Sequence, residues 1–383
     1  MIESEPQALR DLGAFSDWVA HARTQARIYP PADGPPLTSS DVRELLGYAA
    51  DGEPLEPREG RRWTRDGVTG DEVSWSPGFG PRTQAWLLRP AGAEEPLPGV
   101  LALHGHDGFK FFGKEKVADG PDPTPRAVRA VREGLYDGVA FANELARRGF
   151  CVLVHDVFSW GSRRFAPELL RAPARPEPEA TWLGPEGELD PARDSVAYNR
   201  AALAHEHLVA KYCTLLGTSL AGVVAYEDRV AVRYLRSRRD LVAGPVGCLG
   251  LSGGGCRAAL LHATCDEVAA AGVVGMMTTH PALLDHLVAN HTWMFFPPGL
   301  AARGDWPDLA AARAPTPLLV QFNRDDQLFT LAGMRAADER LAAHYGQAGA
   351  PHAYVGEFYD GPHKFDRAMQ QSAFAHLQRW LRA

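Results

Sequence analysis

The sequence predicts an α/β fold with a doubly wound, mostly parallel sheet, on three observations. Short runs that are apolar throughout, GVLAL (99–103), CVLVHDVF (151–158), VGCLGLS (246–252), AGVVGMM (271–277) and PLLVQFN (317–323), read as strands of such a sheet, covered on both faces. Stretches with helical spacing alternate with them, as strand–helix–strand crossovers require. The 38 Gly and 30 Pro are scattered between these segments rather than gathered in low-complexity blocks, which marks many tight turns.

Each element follows from local pattern. Residues 6–50 carry two helical patterns, around ALRDLGAFSDWVAHARTQ and SSDVRELLGYAA, the second opened by a Ser cap before an acidic first turn. They form an N-terminal helical extension, residues 1–60, expected to pack on a main domain spanning 61–383. From residue 61 the character turns to strands, DEVSWS, RTQAWLLRP and GVLAL, separated by Gly or Pro turns. YDGVAFANELARRGF is an amphipathic helix ending at Gly149 and leading into CVLVHDVF. Residues 165–193 hold Pro167, Pro173, Pro176, Pro178, Pro185 and Pro191 around Trp182 without periodicity, the pattern of a lid-like insertion. A helical stretch from Ser195 to Arg236, broken near Gly217 or Gly222, precedes VGCLGLS. Beyond PLLVQFN come a helix near MRAADERLAAHYG, a strand HAYVGEFY and a closing amphipathic helix RAMQQSAFAHLQRWLRA.

Composition narrows the function. In a chain of 383 residues, 47 acidic against 40 basic residues give a formal charge of −7 with no basic block, so nucleic acid is not an expected partner. The start MIESEPQALRDLG has no basic segment followed by an apolar one, and no apolar run reaches the roughly 20 residues of a membrane helix, so the expectation is a cytoplasmic protein without a membrane partner. The five cysteines show no paired C-x-x-C spacing and read as buried free thiols.

The chemistry concentrates in GPVGCLGLSGGGCRAALLHA. Gly250-Leu251-Ser252-Gly253-Gly254 satisfies G-x-S-x-G between a strand and a helix-compatible segment, the context in which glycines let the chain turn sharply and project a serine hydroxyl. A serine needs a base and a group to orient that base. NRDDQLFT supplies Asp325 and Asp326 at a strand end, and DGPHKFD places His363 in a turn before the last helix. Asp326 is favoured over Asp325 because it precedes the apolar Leu-Phe that anchors the loop. The order Ser252, Asp326, His363 is that of α/β-hydrolases. Two backbone N–H groups for the oxyanion are expected from Gly253 and from His106 in HGHDG, the latter through its amide and not its ring.

Taken together, LALHGHDGFKFFGKEK, HDVFSWGSRR, LLGTSLAGVVAYEDRVAVRYL, GCLGLSGGGCRA, PDLAAARAPTPLLVQFNRDDQLF and GPHKFD resemble, in this order, the bacterial acetyl xylan esterase-like and dienelactone hydrolase-like branch of the α/β-hydrolase superfamily, over roughly residues 70–383. The resemblance implies Ser252, Asp326 and His363 as a triad, a site without metal or other cofactor, and cleavage of a small short-chain ester, often by deacetylation of sugars. Serine at the nucleophile position departs from the dienelactone hydrolases proper, which carry cysteine there.

Other readings are weaker. His104 and His106 begin an H-x-H-x-D-H zinc motif, but Gly108 stands where its aspartate is needed and Phe109 where its last histidine is. GLSGGG lacks the Lys-Ser/Thr ending of a P-loop. Cys248 and Cys256 fit small core residues better than reactive thiols. Lys110, Arg163 and Arg164 are read as solvated surface rather than as charges at a pocket edge. TWMFFPPG (292–299) fits an acyl pocket and core packing equally. An acyltransferase or C–C bond hydrolase with the same triad, a noncatalytic binding protein on the same scaffold, and a homo-oligomer are left open.

Overall fold

The computed structural model describes residues 9, 11–25, 28–29, 36–170, 195–239, 241–284 and 286–382. Nine strands form one sheet: β1 (Leu55–Arg65), β2 (Val68–Ser76), β3 (Thr83–Pro90), β4 (Gly99–Leu103), β5 (Cys151–His155), β6 (Val246–Leu251), β7 (Val268–Val274), β8 (Leu318–Asn323) and β9 (Tyr354–Tyr359). Their spatial order is β1-β2-β3-β5-β4-β6-β7-β8-β9. The first three strands and the β3–β5 pair are antiparallel, and every pair from β5 to β9 is parallel. The predicted doubly wound sheet is present, with an antiparallel flank.

Alternation along the central strands divides the interior in two. Leu101 and Leu103 of β4 face one core while Val100 and Ala102 face the other, and β6 divides Val246 and Cys248 from Leu249 and Leu251 in the same way. Both faces are therefore dry, which is why these runs read as apolar throughout. The helices Leu220–Arg236, Gly253–Thr264 and Leu331–Gln347 cover the first face, and Phe141–Arg147 and Arg367–Leu381 the second. Each wholly buried Leu or Phe contributes about 1.5–3 kcal/mol to this packing.

Several elements differ from the sequence reading. β1 begins before residue 61 and runs through residue 60, the border expected for the N-terminal extension. Its residues, LEPREGRRWTR, are almost all exposed and carry no apolar alternation, and its pairing with β2 has two irregularities, all features of a protected edge strand. The helix Ser39–Leu46 is capped by Thr38 rather than by a serine: Thr38 Oγ accepts from Asp41 N at 3.2 Å, and the Asp41 carboxylate accepts from Thr38 N at 2.9 Å. Val42 and Leu46 seat that helix on the first core.

The helix predicted from YDGVAFANELARRGF starts only at Phe141, because Asp137 and Gly138 both adopt positive φ, 56° and 71°, and form a turn. A separate helix, Arg126–Leu135, precedes it. The Ser195–Arg236 stretch is two helices, Ser195–Leu215 and Leu220–Arg236, broken at Gly217 (φ 70°), with Gly222 inside the second. The lid-like insertion expected at 165–193 lies, from residue 171 onward, outside the described residues. All five cysteines are buried free thiols. No single described helix is long and apolar enough to cross a membrane.

The turn after β6 is where packing is tightest. A Cβ added at Gly254 would run into the Leu103 carbonyl oxygen at the end of β4, and one at Gly250 would lie 2.5 Å from the Gly254 carbonyl. Backbone cannot yield as a side-chain tip can, so Gly254→Ala is expected to cost ~1–3 kcal/mol. The check is a fall in the urea midpoint against wild type; an unchanged midpoint contradicts this packing.

Candidate active site

Ser252 joins β6 to the helix Gly253–Thr264 with φ 57° and ψ −120°, a conformation that costs a non-glycine residue about 1–3 kcal/mol. Two backbone bonds hold it: Ser252 N donates to Val274 O, and Cys256 N donates to Ser252 O, both at 2.8 Å. A serine at a helix start ordinarily caps it. Ser252 does not cap this one, and among the described residues its hydroxyl takes part in no hydrogen bond. The hydroxyl is thus presented by a strained turn and left uncommitted.

Parallel pairing of β8 with β9, in register to Asn323 opposite Tyr359, sends two loops out side by side. Arg324 N donates to Tyr359 O at 2.8 Å and Asn323 Nδ2 to Lys364 O at 2.9 Å. Asp325 clamps the loops, its N donating to Gly361 O at 3.1 Å and its Oδ2 accepting from Gly361 N at 2.9 Å. Asp326 is the residue turned inward. Its Oδ2 lies 2.6 Å from His363 Nδ1, and its Oδ1 accepts from Leu328 N at 2.9 Å.

The His363 ring sits over Gly275, where a Cβ would be 3.2 Å from its Cε1. Gly275 directly follows Val274, whose carbonyl anchors Ser252, so the ring rests against the strand end that holds the serine turn. Burial alone would lower the imidazole pKa, but the Asp326 carboxylate overrides it and raises the pKa above the ordinary histidine value.

The two expected oxyanion amides are brought together. A Cβ at Gly253 would lie 2.5 Å from His106 N, so only glycine lets the two backbones approach this closely. Gly253 N–H opens a helix and has no acceptor within it. The His106 ring is also engaged. Nδ1 accepts from Gly108 N at 3.1 Å, so the proton belongs on Nε2, which faces Glu206 Oε2 at 3.2 Å.

Glu206 is a buried hub, 2.5 Å from Lys110 Nζ and accepting from Thr292 Oγ at 2.7 Å and Trp293 N at 2.8 Å. Burial would raise its pKa; the Lys110 ammonium, then His106, hold it well below the usual carboxylate range. The opposite side of the loop is tied to the serine helix by Arg257, which donates from Nη1 to His104 O at 3.2 Å and from Nη2 to Asp228 Oδ1 at 2.6 Å.

The charged residues near the site differ from the sequence expectation. Lys110 and Arg163 are not solvated surface but 2% and 3% exposed, paired with Glu206 and Glu227 respectively. Arg164 is half-buried, its guanidinium 4.4 Å over the Phe111 ring. Met294 and Phe295 of the aromatic segment belong to the core, while Trp293 is 41% exposed. Burial pushes the Cys248 and Cys256 thiols up, away from reactive thiolates. Among the described residues no group of three or more His, Cys, Asp or Glu is arranged to hold a metal ion. Glu206 sits inside a helix with no motif around it, and Arg257 follows the GLSGGG turn without a role legible there; only the fold reveals the partner of each.

No family model matches the chain. It is 23% identical over 303 residues, 78% of its length, to "Putative hydrolase YtaP" of Bacillus subtilis (strain 168), covering 84% of that protein. Among solved structures it resembles a protein titled a putative acetyl xylan esterase from Bacteroides fragilis NCTC 9343 (TM-score 0.63, 15% identity, 93% of this chain and 84% of that one). It also resembles a glucuronoyl esterase from Solibacter usitatus (TM-score 0.56, 14% identity, 92% and 96%). Methylesterase BT1017 gives a TM-score of 0.55 at 19% identity over 89% of this chain, which spans 62% of that protein. These likenesses establish the α/β-hydrolase fold.

If the neutral His363 imidazole is the base, kcat/KM must rise with pH through its pKa, and the raised value puts that acidic limb above the ordinary ~6.5. Asp326→Asn removes the carboxylate that raises it, so the limb shifts to lower pH while the rate drops by ~10³-fold or more. Asp325→Asn leaves the limb in place and costs less than about tenfold. A pH–rate profile of the three proteins checks both; equal losses for the two aspartates contradict the assignment.

Proposed function

We propose that this chain, an α/β-hydrolase by fold, is a serine carboxylic-ester hydrolase that acts on short-chain, acetyl-like esters through an acyl-enzyme. The observation that carries the reading is the 2.6 Å Asp326–His363 pair, resting against the strand end that anchors the strained Ser252 turn. An imidazole oriented through Nδ1 keeps Nε2 for the hydroxyl proton, and a serine that caps nothing is ready to donate it.

In the first half, His363 Nε2 takes the Ser252 proton as Oγ bonds to the ester carbon. The carbonyl oxygen becomes an oxyanion held by the Gly253 and His106 amides. Its collapse breaks the carbon–oxygen bond, and the alcohol departs with the proton from the imidazolium. In the second half, the same imidazole takes a proton from water, the resulting hydroxide adds to the acyl carbon, and the acid leaves as Ser252 recovers its proton. Every step uses groups of this chain and water alone. The name of the acetyl xylan esterase among its structural neighbours supports acetylated sugars as the first substrates to try.

Ser252→Ala is expected to lower turnover of p-nitrophenyl acetate by ~10³-fold or more and to abolish labelling by a fluorophosphonate. Unchanged turnover sinks the proposal. Product analysis separates hydrolysis from acyl transfer, and an unlabelled wild-type protein points to a binding module.

A further inference from the structure

The peptide between Gly105 and His106 carries one of the two amides assigned above to the oxyanion, and its carbonyl is gripped from behind by a buried lysine. Lys116 is fully buried at the end of the short helical turn Lys114–Lys116. Its Nζ donates to Gly105 O at 2.5 Å, to Phe109 O at 3.1 Å and, more weakly, to His106 O at 3.3 Å. Asp107 Oδ2 lies 2.9 Å from the same nitrogen and balances its charge.

The turn that bears Lys116 is itself locked. Arg132 donates from Nε to Lys116 O at 3.2 Å and from Nη2 to Glu115 O and Ala118 O, both at 2.6 Å. The loop it grips is strained: Asp107 has φ 56°, and its carboxyl carbon folds back to 2.9 Å from where a Gly105 Cβ would stand.

Peptide geometry gives this grip a consequence. The Gly105–His106 bond is trans, so its C=O and N–H point in opposite directions in one plane. Fixing the oxygen toward Lys116 fixes the His106 N–H on the other side, where Gly253 makes its closest approach. If that peptide turned over, a carbonyl would face the developing oxyanion. A carbonyl that accepts from a cation also polarises its own amide, which strengthens the opposite N–H as a donor.

From this arrangement we infer that Lys116, which shares the Gly105 carbonyl with His104 Nδ1 at 3.1 Å, is a positioning residue of the oxyanion hole, acting through the Gly105–His106 peptide without touching substrate. The inference rests on the esterase reading above. It assigns a catalytic consequence to a residue that otherwise only ties a loop.

The test uses Lys116→Met, which keeps the apolar stem and removes the donors, with Lys116→Gln as the variant where the first does not fold. Competent sites are counted by the endpoint of fluorophosphonate labelling. Then kcat and KM for p-nitrophenyl acetate, and the affinity of a trifluoromethyl ketone that adds to serine and develops an oxyanion, are measured per competent site. The expected result is a ~10–100-fold loss of kcat, less than the full loss of an oxyanion donor because the amide is displaced rather than deleted. KM stays within about threefold, and ketone affinity weakens by the same factor as kcat. Wild-type kcat and ketone affinity per competent site in the variant overturn the inference and leave Lys116 a structural tie. A wild-type protein that takes no fluorophosphonate overturns the esterase reading instead.

Discussion

The site depends on how closely two strand ends approach one another. Leu103 at the end of β4 is paired in register with Gly250 of β6, and the backbone just beyond β6 turns so tightly that Gly254 abuts the Leu103 carbonyl. Parallel neighbours release their loops at the same edge of a sheet, so this single contact sets the serine turn and the His104–Gly108 loop side by side. The positive φ of Ser252 is tolerated because the surrounding strand pairs and the two dry cores overdetermine it. Geometry this constrained leaves no room for a side chain at 250, 253 or 254, which is a stronger reason for the glycines than conformational freedom alone.

Around that contact lies an unusual density of buried charge. Arg257–Asp228, Lys110–Glu206, Lys114–Asp156, Lys116–Asp107 and Arg163–Glu227 are all nearly or wholly buried pairs; the first joins two helices, and the other four hold loops at the C-terminal edge of the sheet. Such pairs are poor sources of net stability, because desolvation offsets most of their attraction. What they supply is directional: a carboxylate or guanidinium with several fixed partners admits one loop conformation and penalises the rest. Asp156 illustrates this, accepting from Lys114 N at 2.8 Å, Lys114 Nζ at 2.9 Å and Ser162 N at 2.9 Å. The loops after β4 and β5 are thereby held by one carboxylate.

The central sheet and the sharp turn after β6 were legible because they obey local rules. Continuous apolar runs announced β4 to β8, and the glycines around Ser252 announced a sharp turn. The sequence could also rank Asp326 above Asp325, since an apolar pair following an acid tends to pull it inward. What stayed hidden depends on distant partners. β1 has no hydrophobic pattern because both its faces meet water, and Lys110 and Arg163 look like surface until carboxylates arrive from helices distant in sequence, Glu206 for the first and Glu227 for the second. The ring of His106, read only as the bearer of an amide, turns out to be oriented at both nitrogens.

The order of these parts along the chain has a consequence for biosynthesis. The strand and turn bearing Ser252 are complete long before β9 and the Arg367–Leu381 helix have been translated, and it is these last elements that deliver the imidazole and seal the second core. Domains generally fold as units during synthesis. A nascent polypeptide of this kind carries the Ser252 turn on the ribosome without its imidazole neighbour, and the loss of only the final helix would uncover the part of the second core that Met369, Ala373, Phe374 and Leu377 fill.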